Sequence, residues 1–93
     1  MITETAYIES EHVSKYLVTL CRHFARKVPA TWDETNGLVT FPPGQAVLTV
    51  SDTKLTIVCG ADSEEGLGKV KDIITYHVAM FSRRETIELQ WMK

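Results

Sequence analysis

Residues 30–60, ATWDETNGLVTFPPGQAVLTVSDTKLTIVCG, leave little room for anything but short strands. Ala30 and Trp32 alternate with Thr31 and Asp33, a returning segment runs from Leu38 to Phe41, and Ala46, Leu48 and Val50 alternate along a third. Leu55, Ile57 and Cys59 repeat the pattern in a fourth. A period of two puts alternate side chains on opposite faces, so each segment offers one apolar face to a core. The breaks between them are turn sequences. Asn36-Gly37 tolerates the positive φ of a hairpin turn, Pro42-Pro43-Gly44 interrupts the chain, and Ser51 to Lys54 form another tight turn. Parallel neighbours need a crossover of about a dozen residues or more, so these strands are expected to form an antiparallel meander.

The meander is flanked by two stretches of helical period. Val13, Tyr16, Leu17, Leu20, Cys21, Phe24, Ala25 and Val28 share one helical face. Ser10 is placed to cap the start. Pro29 carries no N–H and disfavours helical geometry in its predecessor, so this helix should end near Lys27 or Val28. The second helix is expected to open at Asp62 or Ser63, where Asp62 and Glu65 have capping-box spacing, and to reach about Ser82. Leu67, Val70, Ile74, His77 and Phe81 fall on one side of it, with His77 near the middle of the stripe.

Strands complete the two ends. Ile2, Ala6 and Ile8 share a face at the amino terminus, and Ile87, Leu89 and Trp91, with Glu85 before them, share one in ETIELQWMK. The order is therefore β-α-β-β-β-β-α-β. One face of such a sheet is apolar and both helices must cover it, which describes an α+β fold, a two-layer sandwich of an antiparallel sheet with two helices on one face. Its 93 residues are too few to divide between two cores, so residues 1–93 are expected to be a single domain.

Charge and motif exclude several function classes. Ten Lys and Arg against twelve Asp and Glu leave a net charge of −2, too weak a field for counterion-driven binding of a phosphate backbone. Nucleic acid is not expected as a partner. No apolar run approaches the roughly 20 residues of a membrane span, and MITETAYIES has neither a basic head nor a long apolar stretch. A cytoplasmic chain is expected, with Cys21 and Cys59 as reduced, partly buried thiols. The glycines of GADSEEGLGK match no phosphate loop, and the motifs identify no cofactor.

The residues able to carry chemistry are few. His23 lies at the flank of the first helix's apolar stripe, within reach of the boundary between layers. Its plain structural role is that of a half-exposed helix histidine capping a carbonyl or pairing with a carboxylate such as Asp33, and its alternative role is as a ligand or proton carrier. His77, among Val70, Ile74 and Phe81, is expected to be largely buried and to need a hydrogen-bond partner, for which Glu85 is the candidate. Neither HxxxH nor paired CxxC spacing occurs, so a metal site would have to converge through the fold, from His23, His77 and Glu85. Cys21 lies on the apolar stripe, where burial raises a thiol's pKa and blunts its reactivity. Arg22, Arg26, Lys27 and the Arg83-Arg84 pair read first as a solvated face, with a modest basic patch as the alternative.

YLVTLCRHFARKVPATWDE, FPPGQAVLTV, ITYHVAMFSRRE and the closing ELQW together resemble a small bacterial domain-of-unknown-function family, number 2218, over nearly the whole chain. The family pattern resembles L-C-x-H-F-x-H-K; His23 matches it, and Arg26 stands where a second histidine is common. His77, Phe81, Glu85 and Trp91 also fit. Similar domains are fused to siderophore-interacting flavin reductases, which implies a link to iron acquisition and a reductase partner. The expected function is an accessory or binding domain connected with iron or siderophore use, with His23, His77, Glu85, Arg84 and Trp91 as binding residues. Two rival readings are a small metal-dependent or acid–base enzyme using His23, His77 and Glu85, and a homodimerisation module acting through the sheet.

Overall fold

The computed structural model describes residues 1–81 and 89–92. Its elements follow the expected order: β1 (Ile2–Glu9), α1 (Val13–Phe24), β2 (Ala30–Trp32), β3 (Asn36–Phe41), β4 (Gly44–Ser51), β5 (Lys54–Ala61), α2 (Glu64–Phe81) and β6 (Gln90–Met92). The six strands form one sheet in the order β2-β3-β4-β5-β1-β6, and every neighbouring pair is antiparallel. β1 thus inserts between β5 and β6, so the two ends of the chain lie together on one side of the sheet.

Register converts the period-two pattern into continuous rows. Ala30, Val39, Ala46, Cys59 and Glu4 form one inward row across the sheet; Trp32, Gly37, Leu48, Ile57, Ala6 and Trp91 form the next. A slip of one residue would turn each such set to the opposite face. Both helices pack on these rows, α1 over β2 to β5 and α2 over β4, β5 and β1. Ile8, Leu17, Leu20, Leu48, Leu55, Ile57 and Ile74 are fully buried between the layers. Each contributes about 1.5–3 kcal/mol by leaving water. Thr5, Tyr7, Thr56 and Val58 lie between the inward rows, on the opposite face.

The turns depart from expectation in one informative place. Asn36 and Gly37 belong to β3, and Gly37 does not have positive φ. The reversal is made instead by Asp33 to Thr35, where the Asp33 carboxylate accepts hydrogen bonds from the backbone N–H groups of Thr35 and Asn36, both at 2.8 Å. Gly37 is required for another reason. A Cβ there would lie 2.7 Å from Cys21 Sγ, so the missing side chain is what lets α1 settle on β3. Pro42 and Pro43 form the two-residue turn from β3 to β4, with Phe41 paired to Gly44. Asp52, at φ 53°, supplies the left-handed residue between β4 and β5.

The helix ends are also set by local hydrogen bonds. The Ser10 hydroxyl accepts the His12 N–H at 3.0 Å just ahead of α1. α1 ends at Phe24, earlier than Pro29 requires, with Ala25 still in helical geometry as its C-cap, and the Phe24 carbonyl accepts N–H bonds from Lys27 and Val28, which carry the chain round to β2. In α2 the capping oxygen is that of Ser63, which accepts the Gly66 N–H at 3.0 Å; the capping box expected from Asp62 and Glu65 is replaced by this bond. Among the described residues, no helix is long and apolar enough to cross a membrane.

Candidate functional site

His23 and His77 meet at the seam between the two helices. Their ring centroids are 4.9 Å apart with planes tilted by 48°. His23 reaches the seam from the flank of α1, as its position relative to Leu17, Leu20, Cys21 and Phe24 implies, and both imidazoles are half-buried.

His77 does not occupy the middle of its helix's apolar stripe. The buried face of α2 is Gly66, Leu67, Val70, Ile74 and Val78. At about 100° per residue that face centres nearer Ile74, and His77 falls roughly 60° to the side, the side turned toward α1. The imidazole is part-buried on that flank. Among the described residues its hydrogen-bond partner is the Ile73 carbonyl oxygen, 2.7 Å from Nδ1. A carbonyl only accepts, so Nδ1 carries the proton and donates it; in the neutral ring the lone pair then resides on Nε2. Glu85, the expected partner, lies outside the described residues.

The imidazoles are ringed by aromatic side chains. Phe24 stands edge-on to His77 at 4.7 Å and to Phe41 at 5.1 Å, which ties the floor of the site to β3. Phe81 lies 5.4 Å from His23, and Tyr76 meets His77 at 5.2 Å. Tyr76 is 66% exposed, so the cluster opens to solvent on that side. Partial desolvation holds the His23 pKa below its usual value, helped by His77, Arg26 and Lys27. His23 is therefore biased toward the neutral form, which offers a lone pair. The expected His23–Asp33 pairing does not form, because the Asp33 carboxylate is engaged in its own turn; the backbone donors of Thr35 and Asn36 hold its pKa down.

The other expected residues divide. Arg22, Arg26 and Lys27 are exposed, and Arg26 and Lys27 lie near His23. Arg84 lies outside the described residues, as does Arg83. Trp91 belongs to a second cluster, on the opposite flank of α2. Its ring lies beneath Lys71 Nζ at 4.9 Å, and the same ammonium pairs with the buried carboxylate of Glu4. A cleft of about 320 Å³ opens beside that pair, lined by Ile2, Thr3, Glu4, Leu67 and Lys71 among others. Sequence reasoning passed over Glu4 and Lys71, although strict alternation from Ala6 and Ile8 places Glu4 on the inward face.

Cys21 and Cys59 are buried free thiols, and burial raises their pKa values to about 11 and about 12. Neither is a ready nucleophile. Among the described residues, no three His, Cys, Asp or Glu side chains converge as a complete metal site. The seam therefore offers two imidazole nitrogens, an aromatic surround and a cationic edge.

A family model described as an uncharacterized protein conserved in bacteria, DUF2218, matches residues 5–92. Among solved structures, the NMR structure of PA4090 from Pseudomonas aeruginosa is similar, with a TM-score of 0.81 and 18% identity, covering 99% of this chain and 96% of that one. At that identity the likeness establishes a shared fold. No curated protein matches the chain.

Proposed function

Because the chain belongs to the DUF2218 family of uncharacterised bacterial proteins, whose description assigns no activity, we propose a function from the site itself: an accessory binding domain that seats its ligand on the His23–His77 seam. The observation that carries this reading is the half-buried pair of imidazoles, held by two helices and opening to solvent beside Tyr76. Polar rings fixed by packing on rigid elements are suited to recognition, since little side-chain freedom remains to be lost on binding. The aromatic faces of Phe81 and Tyr76 favour a flat or aromatic ligand, and Arg26 and Lys27 favour an anionic one.

An anionic iron chelate of the catecholate type combines those features, and it agrees with the link to iron acquisition that the family resemblance implies. A siderophore-interacting flavin reductase would be the partner that presents such a ligand, with a cytoplasmic location for both. Calorimetric titration of the full chain with a ferric catecholate tests the reading. Binding should appear at low salt, weaken as salt screens the cationic edge, and fall in Arg26→Ala. If the folded protein binds neither the ferric chelate nor a flavin reductase at low salt, the reading fails.

A further inference from the structure

We propose that His23 and His77 act together as a two-nitrogen seat for a transition-metal ion whose other coordination positions are filled by a chelator. The proposal rests on the binding reading above and gives that site its chemistry.

The ring separation fits one shared ion. An imidazole nitrogen lies about 1.15 Å from its ring centroid and binds a metal at about 2.0–2.1 Å, so the ion sits roughly 3.2 Å from each centroid. Two such rings subtending about 90° to 109° at the metal have centroids about 4.5–5.2 Å apart. The observed 4.9 Å falls inside that interval, and the planes are tilted by 48° rather than stacked in parallel.

The donor atom of His77 is also prepared. Its Nδ1–H is committed to the Ile73 carbonyl at 2.7 Å, which leaves Nε2 with the lone pair and fixes the ring about its own helix. Ligating histidines commonly use their second nitrogen in this way. Phe24 packs edge-on against the same ring, and Phe81 stands beside His23. Both donors are thus positioned by packing.

The site is built for a metal already partly held. Among the described residues no third ligating side chain converges on the pair, and the proposed seat leaves the remaining positions of a four- or six-coordinate ion to a chelator. Arg26 and Lys27 are exposed three and four residues beyond His23, so a bare dication is opposed, whereas a chelate carrying compensating negative charge is not. The pair therefore selects chelates with two adjacent open positions.

Nickel–nitrilotriacetate, which leaves two such positions, is the probe. The full chain, free of any affinity tag, is titrated calorimetrically, and copper–iminodiacetate is used in parallel to count bound nitrogens by electron paramagnetic resonance. Expected are one-to-one binding, two imidazole nitrogens on copper, and a loss of at least about tenfold for either His23→Gln or His77→Gln, the scale on which even outer-shell changes act. His12→Gln should change nothing, since His12 is exposed beside Glu11 and serves as the control for adventitious imidazole binding. Circular dichroism confirms that each variant is folded. The wild-type nitrogen count needs no variant at all. Fewer than two imidazole nitrogens on copper, counted beyond the amine nitrogen of iminodiacetate, or equal affinity in the wild type and both site variants, overturns the two-histidine seat. If nickel–nitrilotriacetate fails while ferric catecholate still binds in an Arg26-dependent manner, only the seat is lost; if both fail, the binding reading is lost with it.

Discussion

Replacing Gly37 with alanine tests how closely α1 is seated on the sheet. The new Cβ would stand 2.7 Å from Cys21 Sγ, while its next neighbours, Leu17 Cδ2 and Trp32 Cβ, lie at an ordinary 3.6 Å. The obstruction is a single sulfur. Cys21 has one side-chain rotor and is 0% exposed, so relief requires turning the thiol into a filled core or moving α1 outward. Overpacking of this kind costs about 1–3 kcal/mol. Removing a glycine at a position without positive φ restores about 0.4–1 kcal/mol through the unfolded chain. The net expectation for Gly37→Ala is a loss of about 0.5–2 kcal/mol. At a urea slope near 1 kcal/mol/M, its midpoint should fall by about 0.5–2 M. The same contact predicts a compensation. Cys21→Ala alone should destabilise by about 1 kcal/mol, because it empties part of the core. In the double variant the clash is absent, so the two losses should not add. A double-mutant cycle in urea, followed by circular dichroism, measures this directly. Additivity within about 0.5 kcal/mol would refute the claim that Gly37 is required by Cys21.

Two further expectations concern charge. Lys71→Met keeps the packing stem but leaves the Glu4 carboxylate, 10% exposed in its side chain, without its ammonium. The Lys71 side chain is 29% exposed, so water moderates the effect and the expected loss is about 1–3 kcal/mol. Glu4→Gln/Lys71→Met should recover much of it, and a single variant as stable as the wild type in urea would show the pair to be inert. For Asp33, the folded-state pKa lies below the unfolded one, so its contribution is present above the unfolded value and is lost as pH falls through the folded value. Between about pH 5 and about pH 2, urea midpoints should fall further in the wild type than in Asp33→Asn; equal falls would remove the turn carboxylate from the account.

The sequence by itself determined which side chains face the core. Period-two alternation through Ala46, Leu48, Leu55, Ile57 and Cys59 and helical spacing through Leu17, Leu20, Cys21 and Phe24 reflect backbone geometry, which holds wherever an element is placed. Short turns then imposed antiparallel pairing, and His23 was legible as a boundary residue by its angle on α1. Tertiary structure decided what the pattern leaves open. Asn36-Gly37 has the composition of a turn, yet the approach of Cys21 and the carboxylate of Asp33 move the reversal upstream. The burial of Val78 rotates α2 so that His77 faces α1 while Lys71 faces Glu4. Local periodicity fixes angles around one helix axis, but it carries no information about the rotation of that helix against its neighbour. That rotation is settled by packing over the whole interface, and it is what brings His23 and His77 together.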